Sequence, residues 1–355
     1  MQKATIHTIF SLILMVHIQT AILSAGQKLW RFANRLQIGA EFDSNMRESR
    51  YSPDAGYALK TLFHSKGSLI KNRWQSNFQF MGGYQAYPEF AEDNKLLNEV
   101  NASLGYQALS RIQVGAESNL KFKFFVNKPW DYATGSGSLW VKTFFPDGIV
   151  LRLNLGMNGL DYASYDFYDF EGQFMQLSLS KQMTASISMR LGFFYHETRY
   201  LRDAFAYQSG TLLVFSPDKQ QTDYSTAGAL HFQYCGKFLI TLSYQLQNNI
   251  SNSYGLGFLR HRWQFFYSQT ILNAFLLRCS GSYQKKNYRD ELTPFVGLEL
   301  DTEREENSFL VADFSKTIFS GTDLLLRYAI YQNESPLRAL YYDKKLLLLG
   351  LEYHF

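Results

Sequence analysis

From residue 35 to the end of the chain, apolar and polar residues alternate with a period of two, the pattern of strands whose two faces meet different surroundings. In the stretch 149–158, Leu151, Leu153, Leu155 and Met157 share one face, while Arg152, Asn154, Gly156 and Asn158 share the other. The same ladder recurs with Ile240, Leu242, Tyr244 and Leu246, and with Met175, Leu177 and Leu179. No apolar run of the roughly 20 residues that a membrane helix needs occurs beyond the N-terminus. Aromatic residues make up 17% of the chain and charged residues 19%, a composition too ring-rich for disorder and too poor in charge for an ordinary soluble domain. The expectation is an all-β protein, either a soluble sandwich or a transmembrane antiparallel up-and-down β-barrel that shows its rings to lipid, and the strand count, the links and the last strand favour the barrel.

Sixteen strands are expected, at about 35–44, 56–65, 71–84, 97–108, 111–125, 136–145, 149–159, 172–181, 185–197, 223–234, 238–248, 255–268, 274–284, 307–317, 322–332 and 345–355, with fourteen as the alternative. Links after even-numbered strands are short, such as Leu109-Ser110 and Pro146-Asp147-Gly148. Those after odd-numbered strands are mostly longer, such as 198–222, 285–306 and 333–344. That asymmetry matches short periplasmic turns and long extracellular loops. Pro53, Pro88, Pro129, Pro146, Pro217, Pro294 and Pro336 all fall in the links so drawn, as expected of a residue expelled from central strands.

Residues 1–25 read as a secretory signal peptide: Lys3 precedes the apolar stretch 9–16, and Ser24-Ala25 supplies small residues at a cleavage point. The alternative is a short anchoring helix. Residues 26–355 then form one barrel domain. The formal charge of +4 is too weak for a nucleic-acid binder. Cys235 and Cys279 are too few for a disulfide framework and have no partners at metal-ligand spacing, so neither a cofactor nor a metal is expected.

The last residues place Leu347, Leu349, Leu351, Tyr353 and Phe355 on one face, ending in an aromatic. In this the chain resembles the bacterial outer-membrane β-barrel (porin-like) superfamily, whose final strand commonly ends in Phe with an aromatic two residues earlier. The resemblance implies residence in the outer membrane of a Gram-negative-type envelope, contact with its bilayer and lipopolysaccharide, and reading of Tyr353 and Phe355 by the barrel-assembly machinery. The segment Gly39 to Asn45 is similar to the opening strand of barrels that follow helical-repeat domains in exopolysaccharide exporters, which would bring a periplasmic partner.

A barrel of this size leaves an aqueous channel, so function lies with its lumen. The polar faces carry Lys60, Arg73, Lys121, Lys123, Lys142, Arg152, Arg190, Arg260, Arg262, Arg278 and Arg327, set against Glu41, Asp43, Glu99, Glu117, Asp313 and Glu352. Unpaired, this excess favours anions; paired into ladders, it leaves little field. Tyr57, Tyr84, Tyr106, Tyr195, Tyr234, Trp263, Tyr267 and Tyr353 fall toward the ends of outward ladders, where headgroup-level rings sit.

No catalytic role is expected. His64, His196, His231, His261 and His354 are scattered, outside any nucleophile or phosphate-loop motif. Asp161, Asp166 and Asp169 stand among the rings of the loop 161–171, an arrangement that could hold sugar or calcium or simply cap the barrel. The expected function is passive or weakly anion-preferring passage of small solutes. A polymer export or assembly barrel and a structural or adhesive barrel are the alternatives.

Overall fold

In the computed structural model of the chain, the described residues are 30–46, 53–129, 131–164, 166–208, 211–272, 274–290, 308–332 and 342–355. The signal peptide expected at residues 1–25, Tyr165, Pro294, Pro336 and most of the links 285–306 and 333–344 lie outside them.

Sixteen strands follow one another: Trp30–Asp43 (β1), Gly56–Lys71 (β2), Trp74–Ala86 (β3), Lys95–Leu109 (β4), Ile112–Phe125 (β5), Tyr132–Phe144 (β6), Ile149–Tyr162 (β7), Phe170–Gln182 (β8), Ile187–Gln208 (β9), Thr211–Cys235 (β10), Leu239–Ser251 (β11), Phe258–Ile271 (β12), Phe275–Tyr288 (β13), Ser308–Phe319 (β14), Thr322–Gln332 (β15) and Asp343–His354 (β16). Each pairs with its sequence neighbour, and β1 pairs with β16, closing the barrel. Closure leaves no sheet edge, so the backbone is satisfied within the sheet, the condition that a bilayer imposes.

The two faces are inverted relative to a soluble protein. Along β16, Leu347, Leu349, Leu351 and Tyr353 are exposed, whereas Leu346, Leu348 and Glu352 are buried. Leu139, Met157 and Ile38 are likewise 70%, 68% and 56% exposed, while Glu41, Asp43 and Gln284 are sealed away. The convex surface is the apolar one, as lipid requires. Rings neighbour one another on it: Tyr244, Trp263 and Tyr283 lie side by side midway along β11 to β13, with centroids 5.4 and 5.7 Å apart, and Tyr234, Phe238 and Tyr267 do so beside the short turn between β10 and β11, at 4.9 and 5.9 Å.

The short links sit at the end that carries His354 and Trp30. Several use left-handed residues to reverse the chain tightly, including Asn72 (φ 55°), Asp147 (φ 61°) and Gly321 (φ 76°). At the other end the expected loop 198–222 is instead a continuation of sheet. β9 and β10 stay paired out to Gln208 and Thr211, with register shifts between Phe215 and Thr222. Pro217 therefore lies inside β10, at a break in the ladder where its missing N–H costs no bond.

Candidate functional site: the concave wall

Side chains from strands two apart meet only on the concave side of a curved sheet. Gln85 Nε2 of β3 donates to Glu41 Oε1 of β1 at 2.9 Å, and Asn154 Nδ2 of β7 donates to Glu117 Oε1 of β5 at 3.0 Å. The ladder register carries this assignment around the barrel. Lys60, Lys121, Lys123, Lys142, Arg152, Arg190, Arg260, Arg262, Arg278 and Arg327 all lie on the same face as Glu41, Asp43, Glu99, Glu117, Asp313 and Glu352. Arg73 does not. It is exposed in the two-residue turn between β2 and β3, because the left-handed Asn72 ends the hairpin one residue before the strand would have reached it.

Five of those six acids have an ionic partner. Lys60 Nζ lies 3.0 Å from Glu41, Lys344 Nζ 2.8 Å from Asp43, Arg152 Nη2 2.7 Å from Glu117, Arg327 Nε 2.6 Å from Asp313, and Arg35 Nη1 3.5 Å from Glu352. Arg278 approaches Asp313 as well, at 3.7 Å. Glu99 instead accepts from the amides of Asn101 and Asn119, at 2.9 and 3.0 Å. Lys66, Lys121, Lys142 and Arg190 have no carboxylate within salt-bridge distance among the described residues. Lys142 lies over the Trp140 ring and Lys121 over Tyr132, contacts that hold a cation without discharging it.

Arg35, Lys66, Lys95, Lys286, Lys344, Asp223 and Asp323 also belong to this wall and are absent from the set assembled on sequence. Most stand at strand ends, where the alternation fades; Lys66, for example, is one residue past the expected end of the second strand. Their signal is the parity of their numbers, which matches that of neighbours already on the face.

The wall is not uniformly charged. A cavity of about 740 Å³ touches Asn77, Gln79, Asn101, Asn119 and Ser136 on β3 to β6 and Phe174 on β8, and Arg31, Lys66 and Glu117 also line it. Asn119 Nδ2 donates to Asn101 Oδ1 at 2.6 Å, and Asn77 Nδ2 donates to Ser103 Oγ at 3.3 Å. This amide ladder offers donors and acceptors but no net charge.

Above the wall, the acidic-aromatic loop is a packed cap. Tyr132, Leu160, Tyr162 and Tyr168 form a buried cluster flanked by Phe167 and Phe170. Asp169 Oδ1 accepts the Tyr162 N–H at 2.7 Å, a bond that staples the loop to β7. In the neighbouring link, Asp131 likewise accepts the Phe125 N–H, and burial pushes its carboxyl up despite that bond.

No protein-family profile matches the chain, and no curated protein does. Among solved structures, it is similar to OccK8 (OprE) of Pseudomonas aeruginosa, at 9% identity and a TM-score of 0.47, covering 92% of this chain and 98% of that one. It is similar in the same degree to a loop-deletion mutant of OmpT, an outer membrane protein of Vibrio cholerae, with 9% identity, a TM-score of 0.47, and coverage of 92% and 99%. A bacterial polysaccharide outer membrane secretin aligns over 91% and 98% of the two chains, at 9% identity and a TM-score of 0.42. Likenesses this distant assign neither a family nor an activity.

Proposed function

We propose that this barrel is an outer-membrane channel for passive passage of small solutes, with a weak preference for anions. One observation carries the reading. After most acids of the concave wall are consumed in ion pairs, Lys66, Lys121, Lys142 and Arg190 still face the lumen without a carboxylate partner among the described residues. Sixteen strands enclose an aqueous lumen wide enough for hydrated solutes. Fixed positive charge along it lowers the electrostatic cost for anions and raises it for cations. The preference is weak because the ion pairs cancel most of the field. In this reading residues 1–25 direct export and are removed, Tyr353 and Phe355 present the last strand to the assembly machinery, lipopolysaccharide borders the outer leaflet, and the barrel has no catalytic role.

The test is the reversal potential of the refolded barrel in a salt gradient. Wild type is expected to pass chloride modestly better than potassium, and Lys142→Glu with Arg190→Glu to cancel or invert that preference. A cation-preferring wild type would overturn the reading, and a barrel with no conductance would favour the structural or adhesive one.

The amide ladder beside Phe174 favours a second reading, an export barrel that passes a hydroxyl-rich polymer delivered by a periplasmic partner. Ring faces and neutral amides suit sugars better than ions. Concentration-dependent block of the current by neutral oligosaccharides is its expected signature.

A further inference from the structure

We propose that Asp323, Glu352 and His354 form a binding site for a divalent transition-metal ion at the mouth of the barrel that carries the short turns. The three donor atoms lie within 4.8 Å of one another. His354 Nε2 is 3.3 Å from Asp323 Oδ2 and 3.2 Å from Glu352 Oε1. In a tetrahedral site with metal–ligand bonds of about 2.0–2.2 Å, neighbouring ligand atoms stand about 3.3–3.6 Å apart, close to the two distances from His354 to the carboxylates.

The remaining oxygens are already engaged in the way that outer-shell partners orient metal ligands. Thr317 Oγ1 donates to Asp323 Oδ1 at 2.7 Å, and Arg35 Nη1 stands 3.5 Å from Glu352 Oε2. Each carboxylate thus turns its other oxygen toward the same imidazole nitrogen. A single N–H on that nitrogen can serve both carboxylates only as a weaker, shared three-centre bond, whereas a metal ion between them would bond all three donor atoms directly.

The backbone holds the group in place. Asp323 and Glu352 are directly opposed in the β15·β16 ladder, and the His354 N–H donates to the Gly321 carbonyl at 2.7 Å. One imidazole with two carboxylates suits Zn²⁺, Co²⁺ or Ni²⁺; Mg²⁺ and Ca²⁺ favour all-oxygen sets. Arg35 offsets part of the carboxylate charge, so binding in the micromolar range is expected.

The test is calorimetric titration of the untagged, refolded barrel in detergent with Zn²⁺, together with the visible absorption of bound Co²⁺. One ion per barrel is expected, with affinity at least tenfold weaker in both Asp323→Asn and His354→Gln. His354 is next to the chain end that the assembly machinery would read. Asp323→Asn leaves that end untouched and decides the matter if the His354 variant fails to fold. Absence of micromolar binding in wild type, or binding that survives unchanged in Asp323→Asn, overturns the site. Neither readout depends on conduction, so the channel reading stands or falls separately.

Discussion

Replacing Gly39 by valine is expected to prevent most of the chain from closing into a barrel. Gly39 and Gly350 face each other across the β1·β16 ladder, which joins the two ends of the chain. A Cβ added at Gly39 would stand 2.8 Å from the Leu349 carbonyl oxygen and 3.1 Å from the Gly350 Cα. One added at Gly350 would stand 2.7 Å from the Ile38 carbonyl oxygen. These neighbours are backbone, so they cannot swing aside as a side chain would; the strands themselves must part. Overpacking costs about 1–3 kcal/mol in a core that can adjust, and here the adjustment opens a seam. Two parted strands would leave N–H and C=O groups unpaired in hydrocarbon, each at a cost of several kcal/mol. The control is Gly137→Val, where an added Cβ meets nothing within 4 Å. Heat-modifiable migration in electrophoresis reports the folded fraction after refolding. Gly39→Val folding as fully as Gly137→Val would refute the role given to this seam.

The second large effect is expected at Glu41, which is 1% exposed. Its carboxylate accepts from Lys60 Nζ at 3.0 and 3.3 Å and from Gln85 Nε2 at 2.9 Å. Lys60→Met removes the countercharge and leaves a carboxylate deprived of water beside the fully buried Leu348. Breaking a buried pair from one side costs about 3–5 kcal/mol; the low end applies, because Lys60 itself is partly wetted by the lumen. The double variant Glu41→Gln with Lys60→Met removes the stranded charge and should recover more than half of the loss. Urea unfolding in lipid vesicles, followed by tryptophan fluorescence, measures both. A Lys60→Met barrel within about 1 kcal/mol of wild type would mean that the pair is worth no more than an exposed one.

Much of the candidate site was legible because parity is a one-bit signal that survives without coordinates. Once Arg152 is opposed to Leu151 and Leu153, every second residue of that strand is assigned. Arg73 failed because parity holds only while the strand does, and Asn72 ends it. Lys66, Lys95 and Lys344 were missed for the opposite reason, since their strands run further than the contrast between faces. In β16 that contrast nearly vanishes: Leu346 and Leu348 are buried on the concave face, while Leu347 and Leu349 are exposed on the other. The continuation of β9 and β10 beyond residue 198 was illegible because alternation fails there: Leu212, Leu213, Val214 and Phe215 run together without a polar residue between them, Pro217 follows, and the ladder itself shifts register.

By itself, then, the sequence determined the all-β architecture and, within the strands it marked, which residues share a face. Both are local properties of alternation, turn residues and proline placement. Closure of the sheet decided for sixteen strands over fourteen. Only the tertiary structure decided which cations are discharged and which are not. Arg152 and Glu117 are 35 residues apart in the chain, yet curvature brings them into contact. Arg190, on the same face, finds no such partner among the described residues. The charge available to a passing solute is the remainder after all such cross-strand meetings, and that remainder depends on the curvature and register of the closed sheet.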